Sequence, residues 1–453
     1  MAGLSPAVWT LTVATMLAAF WPVWVWYLRR LNDGSDEPWG LLALAVTGYA
    51  VWQNRAILRP DRRAFAVGTV SLAVYALGFA SLPPLIRAML ALLATGMAMG
   101  LRVLPVAVWG MLALSLPVIS SAQFYAGWPL RLTTAVGTEG VLNGFGLEVV
   151  RSGAELRWRD ATVGVDPPCS GIRMLWIGLF VHFLLAVRHR LTCRTLAWLT
   201  PLVITGVVGA NIARASLLFF RESGRVDLPE WTHPGVGAAV FLGFVGGLAR
   251  LHGALERRES PCHPGGGGGE GSMSRREAKV LVLVAVWAGL VPFFRTETIA
   301  RSASADFPGW PADWEGAPLV AESLSPRESE FERNFPGRIG VFHTADTSAG
   351  ASRRLICRWV THPTRKLHSS ADCFRAGGFT AEEPDRGHRE DEKRFVIFHP
   401  DLGHFRVREY IFDSAEPRRR WTEVSAWFWD ATLRRRTAGP WLAITIVETA
   451  PEK

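Results

Sequence analysis

Long apolar runs divided by short basic loops fill the chain from Val8 to about Leu251, and beyond Ala300 the pattern changes to short alternating stretches. A membrane-spanning helix takes roughly 20 apolar residues, and packed bundles tolerate shorter ones. The runs predict spans over Val8–Leu28, Trp39–Gln53, Ala64–Leu82, Leu85–Leu101, Leu104–Ile119, Ser170–Val187, Leu196–Phe220 and Gly235–Leu251, with a ninth over Val280–Phe294. Between the fifth and sixth, Ser120–Pro168 predicts a surface helix, Pro129–Leu142, then a short hairpin from Leu147–Val150 and Leu156–Val165. The run Pro264–Ser272 holds five consecutive glycines, cannot pack a core and reads as a linker. After it, Phe395–Phe398, Phe405–Phe412 and Trp441–Val447 read as strands, and Trp421–Arg434 as a helix.

The expected fold class is therefore an α-helical polytopic membrane bundle of about eight helices plus a ninth helix anchoring a small α+β soluble domain. The boundaries are a membrane domain over 1–260, a Gly-rich linker over 261–276, a transmembrane helix over 277–298 and the soluble domain over 299–453.

Charge sharpens this picture. Lys and Arg number 49 against 40 Asp and Glu, a net charge of +9. In a soluble protein that excess would point to nucleic acid. Here no nucleic-acid motif is present, and the basic residues sit in loops between apolar runs. Arg55, Arg59, Arg62 and Arg63 form one cluster; Arg188, His189, Arg190 and Arg194 another; Arg250, Arg257 and Arg258 a third; Arg275, Arg276 and Lys279 precede the ninth span. The positive-inside rule puts all four in the cytoplasm, with the N-terminus inside and odd-numbered spans running outward. Arg29 and Arg30 are the exception, offset by Asp33, Asp36 and Glu37. Ser120–Pro168, Arg221–His233 and everything after Phe294 then lie outside. The first run lacks a basic n-region and a cleavage site, so it reads as an uncleaved helix.

The five cysteines, Cys169, Cys193, Cys262, Cys357 and Cys373, include no CxxC pair, which leaves a zinc ribbon or thioredoxin-like site unsupported. Three segments carry chemistry. In Val165–Arg173, the prolines Pro167 and Pro168 put Cys169 at or beside the start of the sixth span, where a helix N-terminus favours the thiolate. Gly171 leaves room for a substrate backbone. Arg214, in Asn211–Arg214, is the clearest charge inside a span, and intramembrane charges face polar interiors or sites. His233 caps the eighth span before Pro234, where the helix end favours a neutral, proton-accepting ring. Each residue alone also fits a plainer reading: a packing thiol, a snorkelling arginine, a capping histidine. Together, a thiol, a base and a fixed cation at one membrane face are what acyl transfer through a thioester requires.

At these residues the chain resembles the exosortase and archaeosortase family. The carriers are Pro-Cys-Ser-Gly-Ile-Arg at Pro168–Arg173, Asn-Ile-Ala-Arg at Asn211–Arg214 and His-Pro-Gly at His233–Gly235, within a resemblance covering about Ala64–Leu251. The resemblance implies catalytic Cys169, Arg214 and His233, supported by Ser170, Gly171, Arg173 and Asn211, and no cofactor or metal. It implies a multi-pass protein of the bacterial inner membrane, working in the lipid bilayer at the periplasmic face and linked to extracellular polysaccharide. Its partners would be exported proteins ending in a sorting signal (a short motif such as Pro-Glu-Pro, a helix and a basic tail) and an unnamed cell-surface acceptor. Two rivals stand beside this reading. One is a membrane protease that hydrolyses the same signal, told apart by the mass of the product. The other is a non-enzymatic component of polysaccharide assembly or export, which should carry ionisable residues near mid-bilayer.

The tail resembles the exosortase-associated periplasmic domain through Thr364–His368, Asp372–Phe374 and Gly377–Phe379. His368 and Cys373 could form a second thiol site. Alternatively, Cys373 could pair with Cys357 in a disulfide whose loop closure would add roughly 3 kcal/mol. A metal held by His362, His368 and Cys373 is a remoter alternative.

Overall fold

The computed structural model describes residues 6–32, 38–159, 161–165, 170–226, 229, 231–256, 273–294, 307–333, 335–344, 353–376, 378–382, 392–432, 437 and 439–449. Cys169, Cys262 and the Pro264–Ser272 linker lie outside them. The chain divides into two compact units, Met1–Thr298 and Ile299–Lys453.

The first unit is helical: α1 (Pro6–Ala19), α2 (Trp21–Asn32), α3 (Gly40–Gln53), α4 (Arg62–Leu77), α5 (Pro84–Ala98), α6 (Ala107–Leu114), α7 (Ile119–Gly144), α8 (Ile172–Arg188), α9 (Cys193–Glu222), α10 (Thr232–Glu256) and α11 (Arg275–Phe294). Two expected spans are broken. The first bends by 59° at Phe20, between α1 and α2. Pro22 has no N–H to give to the carbonyl four residues back, so the helix cannot run straight through. The fifth ends after α6 and turns by 96° into α7, at Pro117. The expected surface helix Pro129–Leu142 is the second half of this long α7. Among the described residues, α9, α10 and α11 are long and apolar enough to cross a membrane, and up to five spans result if each bent pair counts as one. The nine-span count is thus met only in part, because helices such as α3 and α5 are too short to cross unaided.

The starts of α4, α9 and α11 are set by side chains that satisfy their first amides. Asp61 accepts from Ala64 N at 2.7 Å to open α4, and Thr192 from Thr195 N at 3.2 Å to open α9. Ser274 and Glu277 form a reciprocal capping box before α11, at 3.3 and 2.6 Å. The small and apolar stripe Ala278, Leu281, Ala285, Ala288 and Val291 of α11 then packs against α1 and α4. Gly289 lies so near Ala19 that a Cβ there would stand 3.1 Å from its Cα.

Between α7 and α8 runs a three-stranded antiparallel sheet, β1 (Val150–Ser152), β2 (Glu155–Trp158) and β3 (Ala161–Gly164). It contains one strand more than the expected hairpin. Leu156 and Val165 pack with Leu142 of α7 and Phe219 of α9, so the sheet is fastened where these two helices end.

Among the described residues, the second unit is a nine-stranded antiparallel sheet with three helices. Its elements are β4 (Asp313–Trp314), β5 (Ala317–Glu322), α12 (Pro326–Arg333), β6 (Gly337–Thr344), β7 (Arg353–Val360), α13 (Ser370–Ala376), β8 (Thr380–Glu382), β9 (Lys393–His399), β10 (Gly403–Asp413), β11 (Arg420–Trp421), α14 (Val424–Thr432) and β12 (Trp441–Thr449). The strand order is β4-β5-β6-β7-β12-β10-β9-β8, with β11 beside β10. Side-chain alternation splits its core in two. On β12, Trp441 and Ala443 face Trp427 of α14, while Ile444 and Ile446 join Leu355, Cys357 and Tyr410 on the other face. The expected strands and the helix are all present, the helix starting at Val424 because Trp421 belongs to β11.

At the end of α8, α9 and α10 away from Arg214 and His233, two fully buried histidines link all three helices. His252 Nδ1 lies 2.8 Å from the Leu248 carbonyl, an acceptor, so this nitrogen carries the hydrogen. His252 Nε2 then accepts from His182 Nδ1 at 3.1 Å, which leaves His182 Nε2 as an acceptor 3.0 Å from Thr200 Oγ1, whose one hydrogen is shared with the Leu196 carbonyl at 2.8 Å. In this arrangement each ring carries its one hydrogen on Nδ1 and is neutral. Removing one partner orphans a buried nitrogen at about 1–3 kcal/mol, whereas replacing both by apolar groups is nearly neutral. We therefore expect His182→Leu to unfold at lower temperature in detergent than the His182→Leu, His252→Leu double variant. Equal or greater loss in the double variant would contradict the pairing.

Candidate active site

Antiparallel α9 and α10 bring the predicted arginine and histidine together. Arg214 stands eight residues before the end of α9, and His233 is the second residue of α10, two positions beyond the cap residue Trp231. Arg214 Nη2 donates to His233 Nε2 at 3.0 Å. A guanidinium only donates, so Nε2 is the acceptor and the ring hydrogen sits on Nδ1. Nδ1 faces Glu222 Oε1 at 3.1 Å. Glu222 ends α9 and also accepts from Arg221 Nη1 at 2.7 Å. The result is a chain of guanidinium, imidazole and carboxylate across a helix–helix corner. The space for the guanidinium comes from Gly237, one turn beyond His233, where a Cβ would stand 3.1 Å from Arg214 Nε.

Sequence reasoning missed Glu222. In the sequence it is only an acidic residue at the end of the arginine-bearing span, before the loop that leads to His233. Two other arginines of the helical unit are more deeply buried than Arg214. Arg87 and Arg131 are buried, while Arg214 is half-buried. Arg87 donates to the Phe79 carbonyl at 3.3 Å and stacks on the Phe79 ring, and Arg131 lies over Trp128. These two rest on aromatic faces, which explains how they are accommodated.

The supporting residues gather at the start of α8. Gly171 precedes the helix with φ +81°, a left-handed conformation that glycine adopts without strain. A Cβ at Gly171 would stand 3.1 Å from the Asn211 amide. Asn211, buried on α9 one turn below Arg214, donates to Thr134 Oγ1 of α7 at 3.0 Å. Ser170, also buried, donates to Gln123 Oε1 of α7 at 3.0 Å. A cavity of about 10 Å³ between these groups is no larger than one water. Arg173 is exposed on the first turn of α8.

Helix α8 begins at Ile172, so the prolines do not open it as expected. Cys169 lies outside the described residues, and the chain joins it directly to Ser170. The four residues 166–169 link Val165, buried under Phe219, to the buried Ser170. Val165 N is itself held by the Ala154 carbonyl at 2.9 Å.

In the second unit, His368 Nε2 lies 2.9 Å from Cys373 Sγ. Cys357 and Cys373 are both thiols: Cys357 is buried inside the sheet, its thiol pushed up to about 12 by burial, and Cys373 is exposed on α13. The disulfide alternative is thus not realised. Among the described residues, no three His, Cys, Asp or Glu side chains are grouped to hold a metal, His362 with His368 and Cys373 included.

Compared with known proteins, residues 8–249 match the family model described as transmembrane exosortase (Exosortase_EpsH). No curated protein and no solved structure matches the chain.

Proposed function

Because the chain belongs to the transmembrane exosortase family, we propose that it is a membrane cysteine transpeptidase with Cys169 as nucleophile, His233 as base and Arg214 as oxyanion donor. The observation that carries this reading is the 3.0 Å contact between Arg214 and His233, with Glu222 on the far side of the ring. Two groups chosen from separate spans for a shared reaction meet at one corner.

The mechanism follows from the proton positions. With Nδ1–H directed to Glu222, His233 has its lone pair on Nε2, where a base needs it. In the resting site that lone pair is taken by Arg214. Substrate binding would turn the guanidinium from Nε2 to the scissile carbonyl oxygen, releasing the base at the moment the oxyanion donor is engaged. The Cys169 proton passes to His233, and sulfur attacks the carbonyl carbon. Arg214 meets the tetrahedral oxygen, and His233 protonates the leaving amine, leaving a thioester. An acceptor nucleophile then attacks the thioester and returns its proton to His233. Glu222 keeps the imidazole in the tautomer that each proton transfer requires. The proposed substrates are exported proteins with a C-terminal sorting signal, and the proposed setting is the periplasmic face of a bacterial inner membrane.

Cys169→Ala is expected to abolish processing of a tagged substrate while Cys193→Ala and Cys262→Ala process normally. Arg214→Lys keeps the charge but loses the planar fork. It should reach the membrane at normal abundance and process about a hundred- to a thousand-fold more slowly, the effect of losing one oxyanion donor. Full processing by Cys169→Ala sinks the mechanism, and near-normal processing by Arg214→Lys reduces Arg214 to a positioning charge. For the orientation, reporter fusions should place residues after about Ala300 outside the inner membrane and Arg188–Arg194 in the cytoplasm. A cytoplasmic tail would overturn the periplasmic assignment.

A further inference from the structure

The connection from β7 to α13 holds an imidazole against a thiol far along the sequence from Cys169. His368 Nδ1 lies 2.8 Å from the Lys366 carbonyl, which can only accept, so this nitrogen carries the hydrogen. Nε2 is thereby left with its lone pair toward Cys373 Sγ, 2.9 Å away. Thiol, base and orienting acceptor stand in line, the arrangement that activates a nucleophilic cysteine.

The surroundings hold this geometry. Leu367, beside His368, is buried in the core under α14. The edge of the His368 ring meets Phe331 of α12, centroids 5.7 Å apart. The start of α13 is clamped by Glu409 of β10. Ser369 Oγ donates to one carboxylate oxygen at 2.7 Å, and Ser370 gives both its N–H (2.8 Å) and its hydroxyl to the other. Lys393 balances the buried carboxylate at 3.3 Å. Burial alone would raise the Glu409 carboxyl, but Lys393 and the two serines hold it below its usual range. Cys373 itself stays exposed. Burial also opposes protonation of His368, as does the charge of Arg358 on β7, yet the adjoining sulfur raises its pKa above the ordinary value. That direction favours an imidazolium beside a thiolate.

We propose that the C-terminal unit carries a second acyl-accepting thiol, with Cys373 as nucleophile and His368 as its base, acting on esters or thioesters. Disulfide exchange is the chemistry it suits less. A mixed disulfide needs a second thiol to resolve it, and the unit's other cysteine, Cys357, is completely buried. Acyl donors with good leaving groups fit best, because the first amide of α13 is already given to Glu409 and is not available to an oxyanion. In the reaction, the sulfur–carbon bond forms as the bond from the carbonyl carbon to the leaving oxygen or sulfur breaks, and the His368 proton goes to the leaving group. Water or another nucleophile later takes the acyl group and returns a proton to His368.

The test uses the full-length Cys169→Ala protein in detergent, so its outcome is independent of the membrane site. With p-nitrophenyl acetate we expect a burst of about one p-nitrophenolate per chain and an acetyl group mapped by mass spectrometry to Cys373. In the additional His368→Gln variant the burst should disappear. A second readout leaves His368 intact: the iodoacetamide labelling rate of Cys373 between pH 5.5 and 9. An isolated thiol with a pKa near 8.5 is only about 1 % thiolate at pH 6.5. A paired thiolate should react about fivefold to tenfold faster there, after allowing for the lower nucleophilicity of a more acidic thiol. Its rate should plateau toward low pH. Acetyl on Cys193 instead of Cys373, an undiminished burst in His368→Gln, or a labelling rate that rises steadily with pH like that of an isolated thiol would overturn the proposal.

Discussion

A guanidinium held among apolar helices must give its hydrogens to something, and in this chain Arg214 gives one to His233. That bond joins α9 to α10, fixes which ring nitrogen carries the hydrogen and directs the other face of the ring to Glu222. It depends on three features of the backbone. The helices run antiparallel, so the end of α9 meets the beginning of α10. Gly237 leaves the space a side chain would fill. Asn211, one turn below, ties α9 to α7 through Thr134 and lies against Gly171 at the entry to α8. Arg214, His233 and Glu222 are thereby anchored to helices rather than loops, which favours a defined geometry. The rest of the bundle supports this corner from the opposite end. Thr200 and Arg214 are about 21 Å apart along α9 at 1.5 Å per residue, and there the His182–His252 pair locks the same three helices.

The apolar runs made most of this bundle legible, because a span of the right length must be helical to satisfy its backbone in lipid. They did not show where the spans break. Pro22 and Pro117 sit within apolar runs, so hydropathy passes over them while the backbone cannot. The second unit was legible at β9, β10 and β12, where apolar residues crowd on both faces of the central strands. It was silent at β5 and at α12, whose sequence is mostly charged. That helix is set by the reciprocal bonds of Ser325 and Glu328, at 3.2 and 2.8 Å, rather than by an apolar face.

The candidate site was legible in its residue types and spacing. Cys169, Arg214 and His233 stood out because a thiol, an intramembrane charge and a histidine at a span end are each costly or reactive in that setting. Glu222 was not, since an acidic residue at a helix end is unremarkable until the structure places a ring beside it. In the second unit, spacing left a disulfide and a thiol–imidazole pair equally open. Geometry separates them, with Cys357 inside the sheet and Cys373 facing His368.

The most direct measurement is the capture of the covalent intermediate. Enzyme incubated with a sorting-signal substrate, in the absence of acceptor and quenched in acid, should carry the processed protein on Cys169. The bond should be a thioester, cleaved by neutral hydroxylamine and located by mass spectrometry of the Cys169 peptide. Substrate cleaved with no adduct on Cys169, or with the adduct on another residue, would contradict the account.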